Sequence, residues 1–480
     1  MFFEQFYVRG LGHASYLVGS DETGEALVFD PQRDVSGYFD VARGQGLRIR
    51  HALDSHGHND YLSGLTEVAV RAEVELLASA AAEVGFDHRP LLDGEQFELG
   101  DVGFEVLHTP GHTPEHIGLL VYDRSVSADV PAMLLSGGAL LVGDLARPDL
   151  LGGRDQTEAA AREFCRTIQT KILELPDHVE VFPTHVAGSL CGGNIGSRLS
   201  TTVGYERRTN EILATVSSKA EFVEQCLRLD DLPAVPPYWA RMRRQNLAGV
   251  APLGVLREPP ALDPDAVQRA ARDGAVVLDT RPPEAFGGGH IPGALNVGHG
   301  ASFPTWAGTV LDDGAAVVLV LDAPSDLWPV TWDLLRIGYE PPVGWLAGGM
   351  LAWRTAALDL ERLPQITVHE LRSRLAAVAL DLLDVRQPVE WAGGHVDGAT
   401  FITGGELPSR LDAVPRTGRP LAIACGSGYR SSVAASLLDA RTDLEVVNVL
   451  GGMTAWTAAG YPTTSDEGDR ERPSLGRRFG

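Results

Sequence analysis

Short apolar runs alternate with longer amphipathic stretches along most of the chain, which is the pattern of an α/β protein. The runs bounded by turn residues predict strands at 27–31, 103–108, 140–143, 275–278, 316–321 and 421–424. Two stretches of the N-terminal half predict helices over 65–82 and 156–175. In the C-terminal half, strands that alternate with helices favour a mainly parallel central sheet.

The second half of the chain contains a repeat. Asp279 and His290 have counterparts 105 positions later in Asp384 and His395, within the matching segments Leu-Asp-x-Arg and Gly-His-x-x-Gly-Ala. A third segment, Gly-Gly-Met-x-Ala-Trp, ends at Trp353 and recurs 103 positions later. A near-constant shift over three segments indicates duplication of one domain of about 100 residues.

The repeat and its Pro-rich junctions predict four parts. Residues 1–250 form one α/β domain whose strands lead into loops with His and Asp. Residues 256–360 hold the first repeat and 363–464 hold the second. The polar segment 465–480 is expected to be a flexible tail.

The second repeat carries a cysteine directly after an apolar run. The segment Cys425-Gly426-Ser427-Gly428-Tyr429-Arg430 forms a loop between a predicted strand and a predicted helix. Its glycines let backbone N–H groups turn inward, the helix N-terminus favours negative charge, and Arg430 adds positive charge. These surroundings stabilise a thiolate and a persulfide formed on it, so Cys425 and Arg430 are the candidate catalytic residues. A buried free cysteine is the alternative.

The first repeat lacks this chemistry. Its matching strand leads into Asp322-Ala323-Pro324-Ser325-Asp326, with no cysteine and no counterpart of Arg430. An acidic side chain repels an anionic sulfur donor, and Pro324 removes one loop N–H. We expect this copy to act as a spacer or as a docking surface.

Several loops of the N-terminal domain deliver His or Asp at the end of an apolar run. His56, His58 and Asp60 alternate, as side chains on one side of an extended segment do, and His112 and His185 follow two further runs. Imidazoles gathered from separate loops are typical of a metal site. Isolated core or surface histidines are the alternative.

These motifs resemble a known family. His-x-His-x-Asp, then Pro-Gly-His, a Gly-Asp segment at Asp144 and Pro-Thr-His are similar to the metallo-β-lactamase fold, which implies an αββα sandwich. Arg147-Pro148-Asp149-Leu150 and the segment 183–192 resemble the persulfide dioxygenases that are fused to rhodanese domains. The repeats resemble α/β rhodanese domains, the first without the active cysteine.

The resemblance implies one iron ion held by His56, His112 and a carboxylate. The carboxylate position is Gly138 here, and Asp144 is the nearest substitute. Tyr61 stands where two-metal members have a histidine, which argues against dinuclear hydrolysis. A site of three imidazoles, those of His56, His58 and His112, is the alternative, with mononuclear Fe(II) expected and Zn(II) as the second possibility. The candidate metal ligands are His56, His58, His112, Asp144, Asp60 and His185.

Two further residues are candidate substrate contacts. The resemblance implies that Arg147 pairs with a substrate carboxylate, and Cys191 would hold a persulfide near the metal. A structural salt bridge and a small buried residue are the respective alternatives.

Composition narrows the choice of partners. The 480 residues carry a formal net charge of −24, which argues against a nucleic-acid surface and an anionic membrane. No apolar run of about 18 residues and no signal-peptide pattern occur. Four scattered cysteines favour reduced thiols, so a cytoplasmic location is expected.

The resemblance, together with the cysteine loop and the histidine cluster, implies an enzyme of persulfide metabolism. The N-terminal domain would oxidise the persulfide of glutathione or a similar thiol with O₂, giving sulfite and thiol. Cys425 would pass sulfur between a donor and an acceptor, as a thiosulfate sulfurtransferase does. The alternatives are a zinc thioester hydrolase similar to glyoxalase II, and a metal-poor scaffold that carries one active sulfurtransferase domain. A homo-oligomer is left open.

Overall fold

The computed structural model describes residues 1–228 and 232–465. It forms two compact units, one of Met1–Thr280 with His299–Leu358 and one of Arg281–Gly298 with the residues from 359 onward. The predicted tail lies outside the described residues from position 466 onward. None of the helices in the described part of the chain combines the length and apolar character of a membrane span.

Two six-stranded sheets form the N-terminal domain. The first contains β1 (Phe2–Val8), β2 (His13–Gly19), β3 (Glu25–Phe29), β4 (Arg48–Leu53), β5 (Glu75–Ser79) and β6 (Arg89–Leu91) in that spatial order. The second contains β7 (Gln96–Leu99), β8 (Val102–His108), β9 (Ile117–Asp123), β10 (Met133–Gly137), β11 (Glu180–Pro183) and β12 (Thr201–Thr202), again in order. Strands β3 to β6 pair in parallel, whereas in the second sheet β10 and β11 are parallel and the other pairs are antiparallel.

Helices cover the outer faces of both sheets. They are α1 (Ser36–Gly44), α2 (Leu65–Arg71), α3 (Arg154–Thr167), α4 (Val203–Thr209), α5 (Glu211–Thr215) and α6 (Lys219–Cys226). A further helix, α7 (Trp239–Ala248), lies against the loop that follows β4. Tyr16 and Phe104 are among the side chains that fill the space between the sheets. Tyr38 of α1 and Phe164 of α3 belong to the two outer apolar clusters. The predicted αββα sandwich is confirmed.

Two predicted elements of this domain are wrong. The helix expected over 65–82 ends at Arg71, because Ala72 is extended at φ −151° and ψ 161° and the chain continues into β5, which pairs with β4. The strand expected at 140–143 is a turn, in which the Leu141 N–H donates to the Asp144 carbonyl at 3.1 Å. Leu140 is buried in the core cluster. The run is therefore apolar because its side chains pack in the core, although its backbone does not pair with another strand.

The first repeat contributes β13 (Ala261–Leu262), α8 (Pro264–Arg272), β14 (Val276–Asp279), α9 (Pro283–Gly288), β15 (Leu295–Asn296), α10 (Phe303–Val310), β16 (Val317–Val320), α11 (Leu327–Arg336), β17 (Gly344–Leu346) and α12 (Gly349–Thr355). Within the first unit its strands run β13-β17-β16-β14, all in parallel. The segment Arg281–Gly298, with α9 and β15, belongs to the second unit.

The second repeat contributes β18 (Gln365–Ile366), α13 (Val368–Ala376), β19 (Asp381–Asp384), α14 (Pro388–Ala392), β20 (Thr400–Phe401), β21 (Leu421–Ala424), α15 (Tyr429–Arg441), β22 (Val446–Val449) and α16 (Gly452–Ala458). Its parallel sheet has the order β18-β22-β21-β19-β20. The first four strands repeat the order of the first copy, which confirms the duplication and the parallel sheet.

Candidate functional site

Loops at the carboxyl ends of strands carry the histidines. His56 and His58 follow β4, His112 follows β8, and His185 follows β11. None of the four side chains is more than 3% exposed. Buried imidazoles need hydrogen-bond partners or a metal ion, so the contacts of each ring decide its role.

His56, His112 and His185 face one another. Each offers a ring nitrogen, and the three nitrogens lie within 4.8 Å of one another. The Nε2 atoms of His56 and His185 are 3.4 Å apart. Nδ1 of His112 donates to the Arg147 carbonyl oxygen at 2.8 Å, which leaves the lone pair on Nε2. That Nε2 has no hydrogen-bond partner among residues 1–228 and 232–465.

This group of three imidazoles fits a divalent metal ion. Burial, followed by the neighbouring imidazoles, lowers the pKa of His56 and of His112 well below the ordinary value. Both rings are therefore neutral near pH 7 and keep a lone pair for a cation. A buried nitrogen that nothing else satisfies and two further imidazoles within reach are a suitable donor set for iron or zinc.

His58 lies outside this group. Its Nε2 is 3.0 Å from Oδ1 of Asp30 and 3.9 Å from Oδ1 of Asp54, and these three residues form a separate cluster. Burial opposes a charge on the ring, but Asp30 outweighs burial and raises the pKa of His58. The structure thus brings His185, rather than His58, together with His56 and His112.

Asp60 and Cys191 lie on the other side of His185. Asp60 Oδ2 is 3.4 Å from Nδ1 of His185, and a donor atom of Cys191 lies within 4.8 Å of both. Burial raises the pKa of Asp60, but His185 outweighs burial and lowers it to about 2. A carboxylate on the far nitrogen of an imidazole fixes the ring orientation and leaves the near nitrogen for a metal. Asp60 therefore supports a ligand rather than joining the three-imidazole group.

Asp144 is also separate from the three imidazoles. Its carboxylate accepts the N–H groups of Leu145 at 2.8 Å and Asn194 at 2.7 Å, and so joins two loops. Gly138 offers no carboxylate, and a Cβ on it would lie 2.8 Å from Cδ2 of His112. Among the described residues, the groups of possible metal ligands include no carboxylate together with His56 and His112.

His116 is a functional-site residue that sequence reasoning missed. Its Nε2 accepts the N–H of Gly138 at 2.7 Å, its Nδ1 lies 2.7 Å from the Thr109 hydroxyl, and its ring is 5.1 Å from that of His56. His116 is fully buried. Its position four residues after His112, in the same loop, was the available signal.

Helix α7 braces the loop that carries His56. Arg243 donates to both carboxylate oxygens of Glu115, at 2.8 and 3.0 Å, and Glu115 accepts the Gly57 N–H at 3.0 Å. Nδ2 of Asn246 donates to the carbonyl oxygens of His58 and Tyr61. The contacts of Asn246 join residues that are 185 to 188 positions apart in sequence, so no local motif indicates them.

Arg147 is engaged within the protein. Nε and Nη2 donate to the two oxygens of Asp149, each at 2.7 Å, and Nη1 donates to the Pro233 carbonyl at 2.7 Å. The side chain is 5% exposed. The structure therefore gives Arg147 a salt bridge that links loops, and a substrate carboxylate would have to replace Asp149.

A groove of 670 Å³ lies beside this loop. It is lined by Val142 to Pro148, by the loop 193–198, and by side chains of α4 to α6 that include Tyr205 and Cys226. Arg198 and Arg228 add positive charge, and the Arg198 guanidinium lies 4.2 Å from the centre of the Tyr205 ring. The groove is large enough for a charged thiol of low molecular weight.

The cysteine loop connects β21 to α15 as the sequence predicts. The Gly428 N–H donates to Sγ of Cys425 at 3.1 Å, and the Cys425 thiol lies 3.4 Å from the Ser431 hydroxyl. Gly428 has φ of 107°, a conformation that a residue with a side chain rarely adopts. Sγ of Cys425 thus lies at the N-terminus of a 13-residue helix, where backbone N–H groups stabilise negative charge.

The repeated Gly-Gly-Met segment closes over this loop. The Met453 N–H donates to the Cys425 carbonyl at 2.7 Å, and the Thr454 N–H donates to the Gly426 carbonyl at 2.9 Å. Gly452 has φ of 48°, and a Cβ there would lie 2.2 Å from the Cys425 carbonyl oxygen. The glycine is therefore required by the close approach of two backbones.

The corresponding loop of the first repeat has a different shape. A 3₁₀ turn at Pro324–Asp326 precedes α11, and the Asp326 carboxylate accepts the Ala323 N–H at 3.2 Å. No cysteine is present there, as the sequence predicts. A carboxylate of the loop thus satisfies one of the loop's own N–H groups.

Comparison with known proteins concerns the domains that carry the two sites. A rhodanese-like domain model matches residues 263–356 and 367–459. The crystal structure of a metallo-β-lactamase from Staphylococcus aureus subsp. aureus COL is 33% identical, covers 72% of this chain and 98% of that chain, and superposes with a TM-score of 0.64. The chain belongs to the metallo-β-lactamase family. Within that family it is a fusion, since two rhodanese-like domains follow the metallo-β-lactamase domain.

Two curated relatives of the metallo-β-lactamase domain differ in their chemistry. The mitochondrial persulfide dioxygenase ETHE1 of Bos taurus is 28% identical over 181 residues, which is 36% of this chain and 63% of the relative. The hydroxyacylglutathione hydrolase GloC of Haemophilus influenzae is 26% identical over 222 residues, which is 42% of this chain and 92% of the relative. The chain thus spans less than two thirds of the dioxygenase.

Proposed function

We propose that this metallo-β-lactamase family member is an enzyme of persulfide metabolism with two reactive centres. The N-terminal domain oxidises a persulfide of low molecular weight with O₂, and the second rhodanese-like domain transfers sulfur through Cys425. The observation that carries the proposal is that one chain holds a buried group of three imidazoles and a cysteine loop built to stabilise a thiolate. The similarity to a persulfide dioxygenase supports it.

His56, His112 and His185 would hold the metal ion. When bound there, Fe(II) supplies the redox chemistry that joins O₂ to the persulfide sulfur. The residues of the chain keep the ligands in place, because the Arg147 carbonyl orients His112 and Asp60 orients His185. The full burial of these side chains limits the access of water to a reactive sulfur species.

The overall conversion balances without a further reductant. One persulfide RSSH, one O₂ and one water give one thiol RSH, one sulfite and two protons. The terminal sulfur is oxidised, O₂ is reduced, and the S–S bond of the persulfide breaks. Glutathione or a similar thiol is the proposed carrier. The 670 Å³ groove with Arg198 and Arg228 is the place where its charged groups would bind.

Sulfur transfer at Cys425 proceeds in two steps. The thiolate attacks the outer sulfur of a donor RSSH, a new S–S bond forms on Cys425, the donor S–S bond breaks, and RS⁻ leaves. The Cys425 persulfide then gives its outer sulfur to an acceptor such as sulfite, which becomes thiosulfate, and the thiolate is restored. The Gly428 N–H and the N-terminus of α15 stabilise the anionic sulfur in both states.

Metal content and O₂ uptake test the oxidative centre. We expect the purified chain to bind one iron per chain and to consume O₂ with glutathione persulfide. Cys425→Ser should keep this O₂ uptake, because the cysteine belongs to the other centre, whereas His112→Gln should lose it. A chain without metal, or O₂ uptake that depends on Cys425 alone, would refute the oxidative half and leave a scaffold that carries one sulfurtransferase domain.

A zinc thioester hydrolase is the second candidate for the N-terminal domain. The observation in its favour is that, among the described residues, His56 and His112 form a possible metal site with a third imidazole and without a carboxylate. Three imidazoles are a known donor set for catalytic zinc. The similarity to the hydroxyacylglutathione hydrolase GloC supports this candidate. Tyr61 argues against a second metal ion, because its hydroxyl lies 3.4 Å from the Asp30 carbonyl and it supplies no imidazole. Zinc content together with thioester cleavage would identify this candidate.

A further inference from the structure

The arginine of the cysteine loop is paired with a carboxylate. Nη1 and Nη2 of Arg430 donate to the two oxygens of Glu390, at 2.6 and 2.7 Å. Glu390 also accepts the Gln387 N–H at 3.0 Å, so the first turn of α14 fixes the carboxylate. The side chains are 22% and 33% exposed, respectively, so the pair lies where a donor molecule can reach it.

The pair lies beside the reactive sulfur. A Cβ on Gly426, the residue after Cys425, would be 3.0 Å from Nη2 of Arg430 and 3.6 Å from Oε1 of Glu390. Both charged groups therefore border the loop. A donor that approaches Cys425 meets a pair with no net charge rather than an isolated guanidinium.

The duplicated domain provides an internal comparison. The shift of 105 positions that aligns Asp279 with Asp384 places Ala285 opposite Glu390. The first copy therefore lacks the cysteine, the arginine and the glutamate together. Since that copy keeps the same strand order, the fold does not require the glutamate. The carboxylate occurs only in the copy that carries the reactive cysteine.

From these contacts we propose that Glu390 sets the donor specificity of the Cys425 loop. By compensating the charge of Arg430, it makes the loop favour donors whose reacting end carries one negative charge, such as a persulfide, over dianionic thiosulfate. The inference rests on the sulfurtransferase activity proposed above and names its substrate class. Glu390 acts through Arg430 and is a positioning residue.

Charge accounts for the preference. With thiosulfate as donor, the Cys425 thiolate forms a new S–S bond, the S–S bond of thiosulfate breaks, and sulfite leaves with both negative charges. The thiolate carries one negative charge and thiosulfate carries two. The pair of Arg430 and Glu390 has no net positive charge to offset the repulsion between them. With a persulfide in its deprotonated form RSS⁻, the reacting end brings one charge and RS⁻ leaves, so the repulsion is smaller.

Donor kinetics of Glu390→Gln in the full chain test the inference, with cyanide as the acceptor. We expect kcat/KM with thiosulfate to rise about tenfold, at the low end of charge-steered effects. The value with glutathione persulfide should rise by only about threefold, because half the charge gains about half the electrostatic free energy from a free guanidinium. Glu406→Gln is the matched control, since Glu406 pairs with Arg410 on the surface of the same unit and should change neither value.

A salt titration of the unmodified chain tests the same inference and needs no substituted protein. Between about 0.05 and 0.5 M salt, kcat/KM with thiosulfate should rise relative to the persulfide value, because screening weakens an uncompensated repulsion. If Arg430 were unpaired and attracted the donor, kcat/KM with thiosulfate would instead fall as salt is added, because screening weakens the attraction. A fall with salt, or equal factors for both donors in Glu390→Gln, would overturn the inference while sulfur transfer itself stands. Absence of transfer from either donor in the unmodified chain would instead refute the proposed function and the inference with it.

Discussion

Oδ1 of Asp30 lies 3.0 Å from Nε2 of His58, and this contact separates His58 from the group of His56, His112 and His185. Asp30 is itself held by the Ser55 N–H at 2.5 Å and by the hydroxyl groups of Ser55 and Thr184. A buried carboxylate with this many donors keeps its charge and position. Asp30 therefore determines which histidine of the His-x-His pair is available to bind a metal ion.

Substitution of the two kinds of histidine should affect metal binding differently. His112→Gln should lower metal affinity at least about tenfold, because it removes an imidazole of the three-residue group. His58→Gln keeps a side-chain N–H for Asp30 and should retain metal. Metal content after dialysis measures both. Equal losses in the two variants would show that His58 is a ligand.

Restoring the family carboxylate should not improve this site. In Gly138→Asp, the Cβ would lie 2.8 Å from Cδ2 of His112 and 3.2 Å from the Ala146 side chain. The ring of His112 must therefore move, and we expect metal affinity to fall by about tenfold. Gly153→Ala is the control, since a Cβ there contacts nothing within 4 Å. Tighter iron binding by Gly138→Asp, measured by titration, would contradict this prediction.

The close approach at Gly452 should make it sensitive to a single methyl group. Gly452→Ala places a Cβ 2.2 Å from the Cys425 carbonyl oxygen, so the cysteine loop must shift and sulfur transfer should fall at least about tenfold. Gly460→Ala is a matched control, because Gly460 also has positive φ, 69°, but open space around its Cα. It should cost about 1 kcal/mol of stability and leave transfer unchanged. Equal effects of the two variants on transfer would argue against a role for the close approach.

His299 should make the stability of the first unit depend on pH. The ion pair with Asp333, whose Oδ2 lies 3.7 Å from Nε2 of His299, raises the pKa of His299 despite partial burial. A raised folded-state pKa stabilises the protein fully below the unfolded value, about 6.5, and this stabilisation is lost as the pH rises through the folded value. His299→Gln should therefore lower the free energy of unfolding by up to about 1 kcal/mol at pH 6 and by little at pH 9. Denaturant unfolding at the two pH values measures the difference, and a loss independent of pH would contradict the prediction.

Much of this protein follows from local sequence. The αββα domain and the duplicated parallel sheet are confirmed, whereas the inactivity of the first copy stays a prediction. The cysteine loop was predictable because Cys425 to Arg430 are contiguous and glycines set the backbone path. The predicted helix over 65–82 failed because pairing of β5 with β4, a contact between distant segments, overrides local helix preference.

The metal-binding group was predictable only in part. The sequence alone determined that histidines follow three separate strands and that one domain copy keeps a cysteine at a helix N-terminus. Only the tertiary structure decided that His185 joins His56 and His112 while His58 turns to Asp30, and that Glu390 compensates Arg430. The physical reason is that each of these choices depends on a buried charge or a backbone contact supplied by a segment remote in sequence, whose position the local pattern does not encode.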